Sequence, residues 1–207
     1  MNFLKHIIQK TIKKGYAHKY WTNPSKYGKD NLPEDYVNGI PRSQFLVEII
    51  NAYADKNESI LEIGCNVGRN LNCLYESGYT NLYGIEINPK AVSKMKEVYP
   101  YMADKAFVYN FPIETIIPYL IDNQFDIVFS MAVLMHLPWE SNWVFPEIAR
   151  ITNKVLITIE EENQKSALQF NRNYGEVFKN LKMHEICNPE YGKIEGLEYC
   201  TLRMFQK

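Results

Sequence analysis

SILEIGCNVGRNLNCL, residues 59–74, passes from a short apolar run into a turn and then into a helical repeat of apolar residues. The run that begins at Ile60 predicts a strand, and the glycines Gly64 and Gly68 predict a tight turn after it. Gly78 is placed to end the helix in a left-handed cap. A strand, turn and helix in this order bring backbone N–H groups at a helix N-terminus up to a ligand. The stretch therefore predicts a site for a nucleotide-like cofactor.

The length and composition of the chain limit its class. Its 207 residues, 46% of them hydrophobic, suffice for one α/β domain with a small appendage, and two full domains are not expected. The four cysteines show neither a CxxC pair nor a Cys/His metal spacing, which is typical of reduced thiols. No apolar run approaches the length of a membrane span, and no secretory signal pattern is present. We expect a cytoplasmic protein with no membrane span and no metal site.

The start of the chain is a basic arm. Its first 30 residues contain seven lysines and one acid, Asp30, and so carry a charge of +6 in a chain whose net charge is −1. Within the arm Leu4, Ile7, Ile8 and Ile12 repeat at helical spacing and predict an amphipathic helix. We expect this helix to pack on the domain with its lysines in solvent. The alternative is a docking surface for an anionic substrate, a partner or a membrane surface.

An aromatic, turn-rich segment, residues 16–40, follows the arm and includes Tyr20 and Trp21. Such a composition predicts a loop that folds over a ligand, although the rings can equally fill the junction between arm and core. Arg42 can hold a carboxylate or phosphate, or lie at the surface. Ser43 is a predicted N-cap for the next helix. We divide the chain into an N-terminal arm or cap, residues 1–42, and one domain, residues 43–207.

From residue 59 onward, short β-like runs alternate with helical ones, which is typical of a parallel sheet covered by helices. Further strands are predicted over residues 82–87, 106–109, 125–129, 154–159, 183–187 and 199–205. Helices are predicted after Asn88-Pro89, over 113–117 and 146–151, and over 165–181 with a break near 171–174.

Four groups of polar residues are expected to meet at the C-terminal ends of these strands, where open α/β sheets bind ligands. They are the turn after Glu62, the acid Glu86, the turn 110–114 and the segment 130–136. Glu86 stands where a carboxylate commonly binds ribose hydroxyls, and a carboxylate is seldom buried without a partner or a ligand. The sequence therefore favours a functional role for Glu86.

The glycine pattern argues against a dinucleotide, which requires G-x-G-x-x-G. The chain instead resembles the class I S-adenosylmethionine-dependent methyltransferases, whose first motif is E/D-x-G-x-G-x-G. Glu62, Gly64 and Gly68 match this motif, and Asn66 replaces the middle glycine. The resemblance extends from about Ser59 to the C-terminus. It implies an α/β fold with a Rossmann-like, doubly wound, mostly parallel seven-stranded sheet, an antiparallel last strand and an N-terminal helical cap.

The resemblance also implies S-adenosyl-L-methionine as the cofactor. Glu62, Gly64 and Asn66 would lie along its methionine moiety, Glu86 would take the ribose hydroxyls and Ile87 would lie against the adenine. The family often has an acid after the third strand, whereas this chain has Asn110. The full set of cofactor residues that the resemblance implies is Glu62, Gly64, Cys65, Asn66, Gly68, Asn70, Glu86, Ile87, Asn110, Phe111, Pro112, Ile113, Ser130, Met131 and Ala132.

The segment after the fourth strand bears on the reaction. Family members that methylate exocyclic or amide nitrogens often carry N/D-P-P-Y/F there, but this chain has SMAV and then VLMHLP, which resembles the small-molecule methyltransferases. His136 is the expected catalytic residue, as general base or substrate-positioning group, with helix capping or cofactor packing as the alternative. Weaker candidates for substrate contact are Arg42, Tyr20, Trp21, Glu160, Arg172 and Tyr174.

These patterns predict a methyltransferase that acts on an oxygen of a small polar metabolite, sugar-like or anionic. One alternative is an RNA or protein methyltransferase whose basic arm recruits the substrate. A second alternative is a non-catalytic interaction module that keeps the fold. Asn66 is predicted to support the turn in a left-handed or side-chain-bonded conformation, which asparagine tolerates better than other non-glycine residues.

Overall fold

A computed structural model describes residues 14–163, 168–186 and 196–207. Within these ranges seven strands form one sheet in the order β3-β2-β1-β4-β5-β7-β6. The pairings among β1 to β5 are parallel, whereas β7 runs antiparallel to both β5 and β6. The predicted doubly wound, mostly parallel sheet with an antiparallel last strand is confirmed.

The strands are β1 Ile60–Ile63, β2 Leu82–Ile85, β3 Phe107–Tyr109, β4 Phe125–Met131, β5 Thr152–Glu160, β6 His184–Glu185 and β7 Thr201–Gln206. The helices are α1 Lys14–Thr22, α2 Ile40–Asn51, α3 Arg69–Glu76, α4 Pro89–Val98, α5 Pro100–Lys105, α6 Ile113–Ile116, α7 Val144–Ile151 and α8 Tyr174–Asn180. Short 3-10 turns cover Pro24–Lys26, Pro33–Tyr36, Ile117–Tyr119, Leu134–His136 and Trp139–Ser141.

The central strands are apolar on both faces because helices cover both sides of the sheet. In β1, Ile60 and Leu61 point to opposite sides and are both fully buried. Ile60 packs in the cluster that holds Leu71 of α3, and Leu61 packs in the cluster that holds Ile148 of α7. This two-sided burial makes the edge at the strand ends the place where polar side chains can gather.

The register of the sheet brings three strand ends together. Ile63, at the end of β1, pairs with Ile85 at the end of β2 and with Ser130 near the end of β4. The residues that follow these strands therefore emerge side by side, which is the geometry expected for a ligand site in an open α/β sheet.

The aromatic segment is a cap with regular structure. The prediction of a loop over residues 16–40 is wrong for α1 and for the two 3-10 turns that follow it. Arg69 of α3 ties the cap to the domain, since its Nη1 donates to the carbonyl oxygens of Tyr36 at 3.2 Å and Asn38 at 2.8 Å. Long-range hydrogen bonds, which the local composition does not report, thus fold this segment onto the sheet.

Ser43 does not cap α2. The helix begins at Ile40 and its N-cap is Gly39, which has a φ of 101°. Ser43 lies inside the first turns of the helix, where it is buried and donates to Asn70 Oδ1 at 2.6 Å. Its hydroxyl also accepts a hydrogen bond from Arg69 Nε at 2.8 Å. The residue therefore links α2 to α3 and not to its own backbone.

Other element boundaries also differ from the predictions. β4 runs on through Ser130 to Met131, and β5 ends on Glu160, so these residues belong to strands and not to loops. Of the helix predicted over 165–181 with a break near 171–174, the described residues from 168 onward form only α8, whose N-cap Asn173 accepts a hydrogen bond from the N–H of Glu176 at 3.0 Å. The predicted amphipathic helix of the basic arm and Cys187 lie outside the described residues.

Candidate active site

A cavity of about 460 Å³ lies at the C-terminal ends of β1, β2 and β4. The cap covers it from one side with Ala17, His18 and Trp21 of α1. Of the residues that the resemblance implies for the cofactor, those that line the cavity are Glu62, Gly64, Cys65, Asn66, Asn70, Glu86, Ile87, Phe111, Pro112, Ile113, Met131 and Ala132.

Glu62 is an almost completely buried acid of this cavity. Its Oε1 accepts a hydrogen bond from Asn70 Nδ2 at 2.7 Å, whereas its Oε2 has no partner among the described residues. Burial raises the pKa of Glu62 to about 8. At neutral pH the carboxyl therefore holds a proton in the free protein, and a cationic ligand group at Oε2 would favour its ionised form.

Glu86 follows β2 and is held by the backbone. Its Oε2 accepts from the N–H of Asn66 at 2.8 Å and its Oε1 accepts from the N–H of Asn88 at 2.7 Å. Burial raises the pKa of Glu86 to about 7 in spite of these bonds. Each carboxylate oxygen keeps a further acceptor site, so a pair of ligand hydroxyls can donate to this group.

The turn between β1 and α3 has the backbone that was expected of it. Asn66 has a φ of 47°, so the prediction of a left-handed conformation is confirmed. This conformation accompanies the bond from its N–H to Glu86, and its Oδ1 is buried without a partner among the described residues. Gly64 has a φ of 75°, and a Cβ there would lie 2.4 Å from Val133 Cγ2. Residue 64 must therefore be glycine, because Val133 in the loop after β4 leaves no room for a side chain there.

Three residues implied for the cofactor do not line the cavity and support its walls instead. Gly68 is the left-handed N-cap of α3, and a Cβ there would lie 2.8 Å from Met102 Cε. Asn110 Nδ2 donates to the carbonyl oxygen of Glu86 at 2.7 Å. Ser130 is fully buried in β4 and donates to Glu160 Oε1 at 2.8 Å. These three residues lie outside the lining of the cavity, and their expected contact with the cofactor stays a prediction.

Glu160, a candidate for substrate contact, anchors the loop after β4. Besides Ser130, its carboxylate accepts from the N–H groups of Val133, Leu134 and Met135 at 3.0 to 3.2 Å. The side chain is completely buried and does not line the cavity. Its expected role is therefore corrected from substrate contact to the positioning of the turn that carries His136.

Three more candidates for substrate contact lie outside the cavity. Arg172 donates to Asn142 Oδ1 and to two backbone carbonyl oxygens, and its guanidinium lies 4.4 Å from the ring centroid of Trp139. Tyr174 is fully buried within the second core cluster. The Tyr20 hydroxyl accepts a hydrogen bond from Asn31 Nδ2 at 2.9 Å. Hydrogen bonds within the chain hold Arg172 and Tyr20, and core packing holds Tyr174.

His136 lines the cavity at the end of the 3-10 turn after β4. Its Nδ1 lies 2.8 Å from the carbonyl oxygen of Leu168, and since a carbonyl only accepts, Nδ1 carries the proton and Nε2 is the acceptor. The Trp21 ring packs on it with a centroid distance of 4.4 Å. Burial lowers the pKa of His136 to about 4. The ring is therefore neutral at physiological pH and offers a lone pair.

A second histidine, His18, lines the cavity, although no pattern in the sequence marks it as a site residue. His18 Nε2 lies 3.0 Å from Glu114 Oε1, and the same oxygen accepts from the hydroxyl of Ser141 at 2.7 Å. Burial alone would raise the pKa of Glu114, but its bonds to His18 and Ser141 lower it to about 2. His18 and Glu114 are 96 positions apart, so no local motif could have connected them.

Arg42 and Tyr199 both line the cavity. Burial raises the pKa of the Tyr199 hydroxyl, and the positive charge of Arg42 opposes this rise. Arg42 is half-buried, and among the described residues no carboxylate forms an ion pair with it. The cation is therefore available to an anionic group in the cavity.

The described part of the chain contains no cluster of three or more His, Cys, Asp or Glu side chains that could hold a metal ion. Cys65, Cys73 and Cys200 are free thiols. None of the helices in the described ranges combines the length and apolar character needed to cross a membrane.

Comparison with known sequences gives a family match over the core of the domain. Residues 61–155 match the family described as Methyltransferase domain. A curated relative, the 2-methyl-6-phytyl-1,4-hydroquinone methyltransferase of Synechocystis sp. (strain ATCC 27184 / PCC 6803 / Kazusa), is 22% identical over 201 residues. The match covers 88% of this chain and 58% of the relative, so this chain spans little more than half of that protein.

Comparison with solved structures shows the same fold. Magnesium protoporphyrin IX methyltransferase (ChlM) from Synechocystis PCC 6803, solved with bound SAM, superposes with a TM-score of 0.68 at 15% identity, over 94% of this chain and 97% of that one. A SAM-dependent methyltransferase from Aquifex aeolicus gives a TM-score of 0.61 at 17% identity, over 88% and 96% of the two chains.

Proposed function

We propose that the chain, whose residues 61–155 match the family described as Methyltransferase domain, transfers a methyl group from S-adenosyl-L-methionine to a hydroxyl oxygen of a small anionic acceptor. The observation that carries the proposal is a pair of buried carboxylates in one cavity: Glu62 lies within β1, and Glu86 directly follows the adjacent parallel strand β2.

The polar and apolar groups that line the cavity fit this cofactor. Glu62 Oε2, buried without a partner among the described residues, suits the ammonium of the methionine moiety. Glu86 retains acceptor sites that suit two ribose hydroxyls. Ile87 and the segment 111–113 line the part of the cavity next to Glu86, where an adenine would find apolar walls. When bound, the cofactor supplies a methyl group on a sulfonium, which is electrophilic.

The chain's own residues orient the acceptor and exclude water. His136, whose ring is fixed by its bond to the carbonyl oxygen of Leu168 and by the packed Trp21 ring, lies against the acceptor and so directs its hydroxyl oxygen. Trp21 and Met135 line the cavity beside it with apolar surface. Because the ring of His136 resists protonation, we assign it positioning of the acceptor. Alignment of this kind contributes much of the acceleration in a displacement reaction.

The acceptor class rests on charge and on relatives. Arg42, without an ion-pair partner among the described residues, suits a carboxylate or phosphate on the acceptor. The hydroquinone methyltransferase and the protoporphyrin methyltransferase are both named for small molecules. A small acceptor with a hydroxyl and a negative charge agrees with both observations.

The test combines binding with methyl transfer. Calorimetry measures binding of S-adenosylmethionine, and methyl-labelled cofactor is supplied with 4-hydroxybenzoate or glucuronate, with benzoate as the control that lacks the hydroxyl. We expect cofactor binding and a methyl ether, located by mass spectrometry and NMR, on one of the two hydroxyl acceptors. Absence of cofactor binding would refute the cofactor assignment. Binding without transfer to a hydroxyl, or transfer to the carboxylate alone, would refute the proposed acceptor group.

A further inference from the structure

Two imidazoles among the described residues line the cavity, and they differ in the group that each contacts. His136 donates from Nδ1 to the uncharged carbonyl of Leu168. His18 lies 3.0 Å through Nε2 from the carboxylate of Glu114, and its Nδ1 has no hydrogen-bond partner among the described residues. A buried acid that holds one nitrogen of an imidazole and leaves the other free is the arrangement that supports proton transfer.

The two rings belong to one side of the cavity. His18 and Trp21 are three residues apart on α1, so their side chains share a face of that helix. Trp21 packs directly on His136, with ring centroids 4.4 Å apart. His18 is therefore next to the end of the cavity at which His136 directs the acceptor.

The surroundings of His18 suit a group that gains and then releases a proton. The Glu114 side chain is 3% exposed, and the hydroxyl of Ser141 donates to the same oxygen that faces His18. The acid is thus fixed in place as the counter-charge for an imidazolium. The His18 side chain is 27% exposed, which gives its proton a path to water.

We propose that His18, oriented by Glu114, is the general base of the methyl transfer, an assignment that rests on the proposed function. The acceptor hydroxyl gives its proton to His18 Nδ1 while its oxygen forms the new bond to the methyl carbon. The carbon–sulfur bond breaks at the same time, and its electron pair stays on sulfur. The imidazolium pairs with Glu114 until it returns the proton to solvent. His136 positions the acceptor by contact and takes no proton from it.

The test compares His18→Gln and Glu114→Gln with two exposed controls, His184→Gln and Glu140→Gln. Turnover is measured with the hydroxyl acceptor, either 4-hydroxybenzoate or glucuronate, that the wild type methylates, and the dissociation constant of S-adenosylmethionine is measured by calorimetry. We expect His18→Gln to lower kcat by about a hundredfold or more without weakening cofactor binding. Glu114→Gln should lower kcat by a smaller factor, and the two controls should match the wild type.

A measurement that needs no acceptor accompanies the kinetics. Nitrogen-15 NMR of the histidine rings in wild-type protein should show His18 with its proton on Nε2 and a bare Nδ1. A neutral His18 ring protonated on Nδ1, or unchanged kcat in His18→Gln, would overturn the assignment. A loss confined to cofactor affinity and thermal stability would also overturn it, because a purely structural clasp between cap and domain predicts that pattern. If the wild type methylates neither hydroxyl acceptor, the proposed function is refuted. The NMR result still decides, independently, whether His18 presents a basic nitrogen.

Discussion

At the scale of single residues, we expect Glu62 to couple cofactor binding to the release of a proton. Burial raises its pKa to about 8, so the free protein holds this carboxyl protonated at pH 7, whereas an ammonium at Oε2 favours the carboxylate. Binding of S-adenosylmethionine at pH 7 should therefore release about one proton from this residue, and its apparent affinity should rise with pH until the pH exceeds about 8. Calorimetry in buffers of different ionisation enthalpy measures the release. Glu62→Gln is the control, and this variant should not show the proton release. Equal binding heats in all buffers for the wild type would contradict the predicted proton release.

Glu86 is the second residue whose substitution should directly weaken binding of the cofactor. Its oxygens already accept from two backbone N–H groups, which fixes their direction toward the cavity. Glu86→Gln replaces one of the two oxygens by a donor, so one ligand hydroxyl loses a charged acceptor worth about 1.5 to 3 kcal/mol. We expect the dissociation constant for S-adenosylmethionine to rise about tenfold to a hundredfold. Glu97→Gln, on the exposed surface of α4, is the matched control. An unchanged constant in Glu86→Gln would rule out the ribose contact.

At the scale of elements, the loop after β4 depends on one acid from β5. Glu160 accepts from three consecutive backbone N–H groups, at Val133, Leu134 and Met135, and from the hydroxyl of Ser130. Glu160→Ala would leave these donors buried without an acceptor, at a cost of about 1 to 3 kcal/mol for each unsatisfied group. We expect the free energy of unfolding to fall by about 3 kcal/mol or more in urea titration. Glu140→Ala, at an exposed position in the next turn, should leave it unchanged.

The cap is held by a buried arginine of α3. Arg69 donates to the carbonyl oxygens of Tyr36 and Asn38 and to the hydroxyl of Ser43, so its planar fork joins three points of the cap and α2. Arg69→Lys cannot reproduce this fork, and we expect faster hydrogen exchange over residues 24–38 with little change over β4. Lys96→Arg, on an exposed face of α4, is the reverse control. Unaltered exchange in Arg69→Lys would show that other contacts hold the cap.

At the scale of the whole molecule, the last strand joins the edge strand β6 to the rest of the sheet. β7 pairs with both β5 and β6, and Phe205 is fully buried in the core cluster of α7 and α8. A chain that ends at residue 200 would lose this strand and expose the edge of β5, so we expect it to aggregate or to lack a cooperative thermal transition. Removal of Lys207 alone keeps β7 and is the control. Circular dichroism and size-exclusion chromatography measure both, and a monomeric, cooperatively folded truncation would contradict the expectation.

The sequence by itself determined the parts that depend on neighbouring residues. The apolar runs predict the strands because a parallel strand is buried on both faces. Asn66 in place of glycine predicts a left-handed backbone because few other residues tolerate one, and its φ of 47° agrees. Glu62 and Glu86 are recognisable because each is an acid within or directly after an apolar strand.

Only the tertiary structure decided which distant residues meet. His18 and Glu114 lie 96 positions apart in the chain. Glu160 lies 25 positions from Met135, whose N–H donates to it. The cap is helical and tied to Arg69, although its composition predicts a loop, because hydrogen bonds from another element hold it. A sequence pattern reports the local preference of the backbone and the burial of a face. It does not report which partner a polar side chain finds across the fold, and in this protein those partners separate the residues of the cavity from the residues that support it.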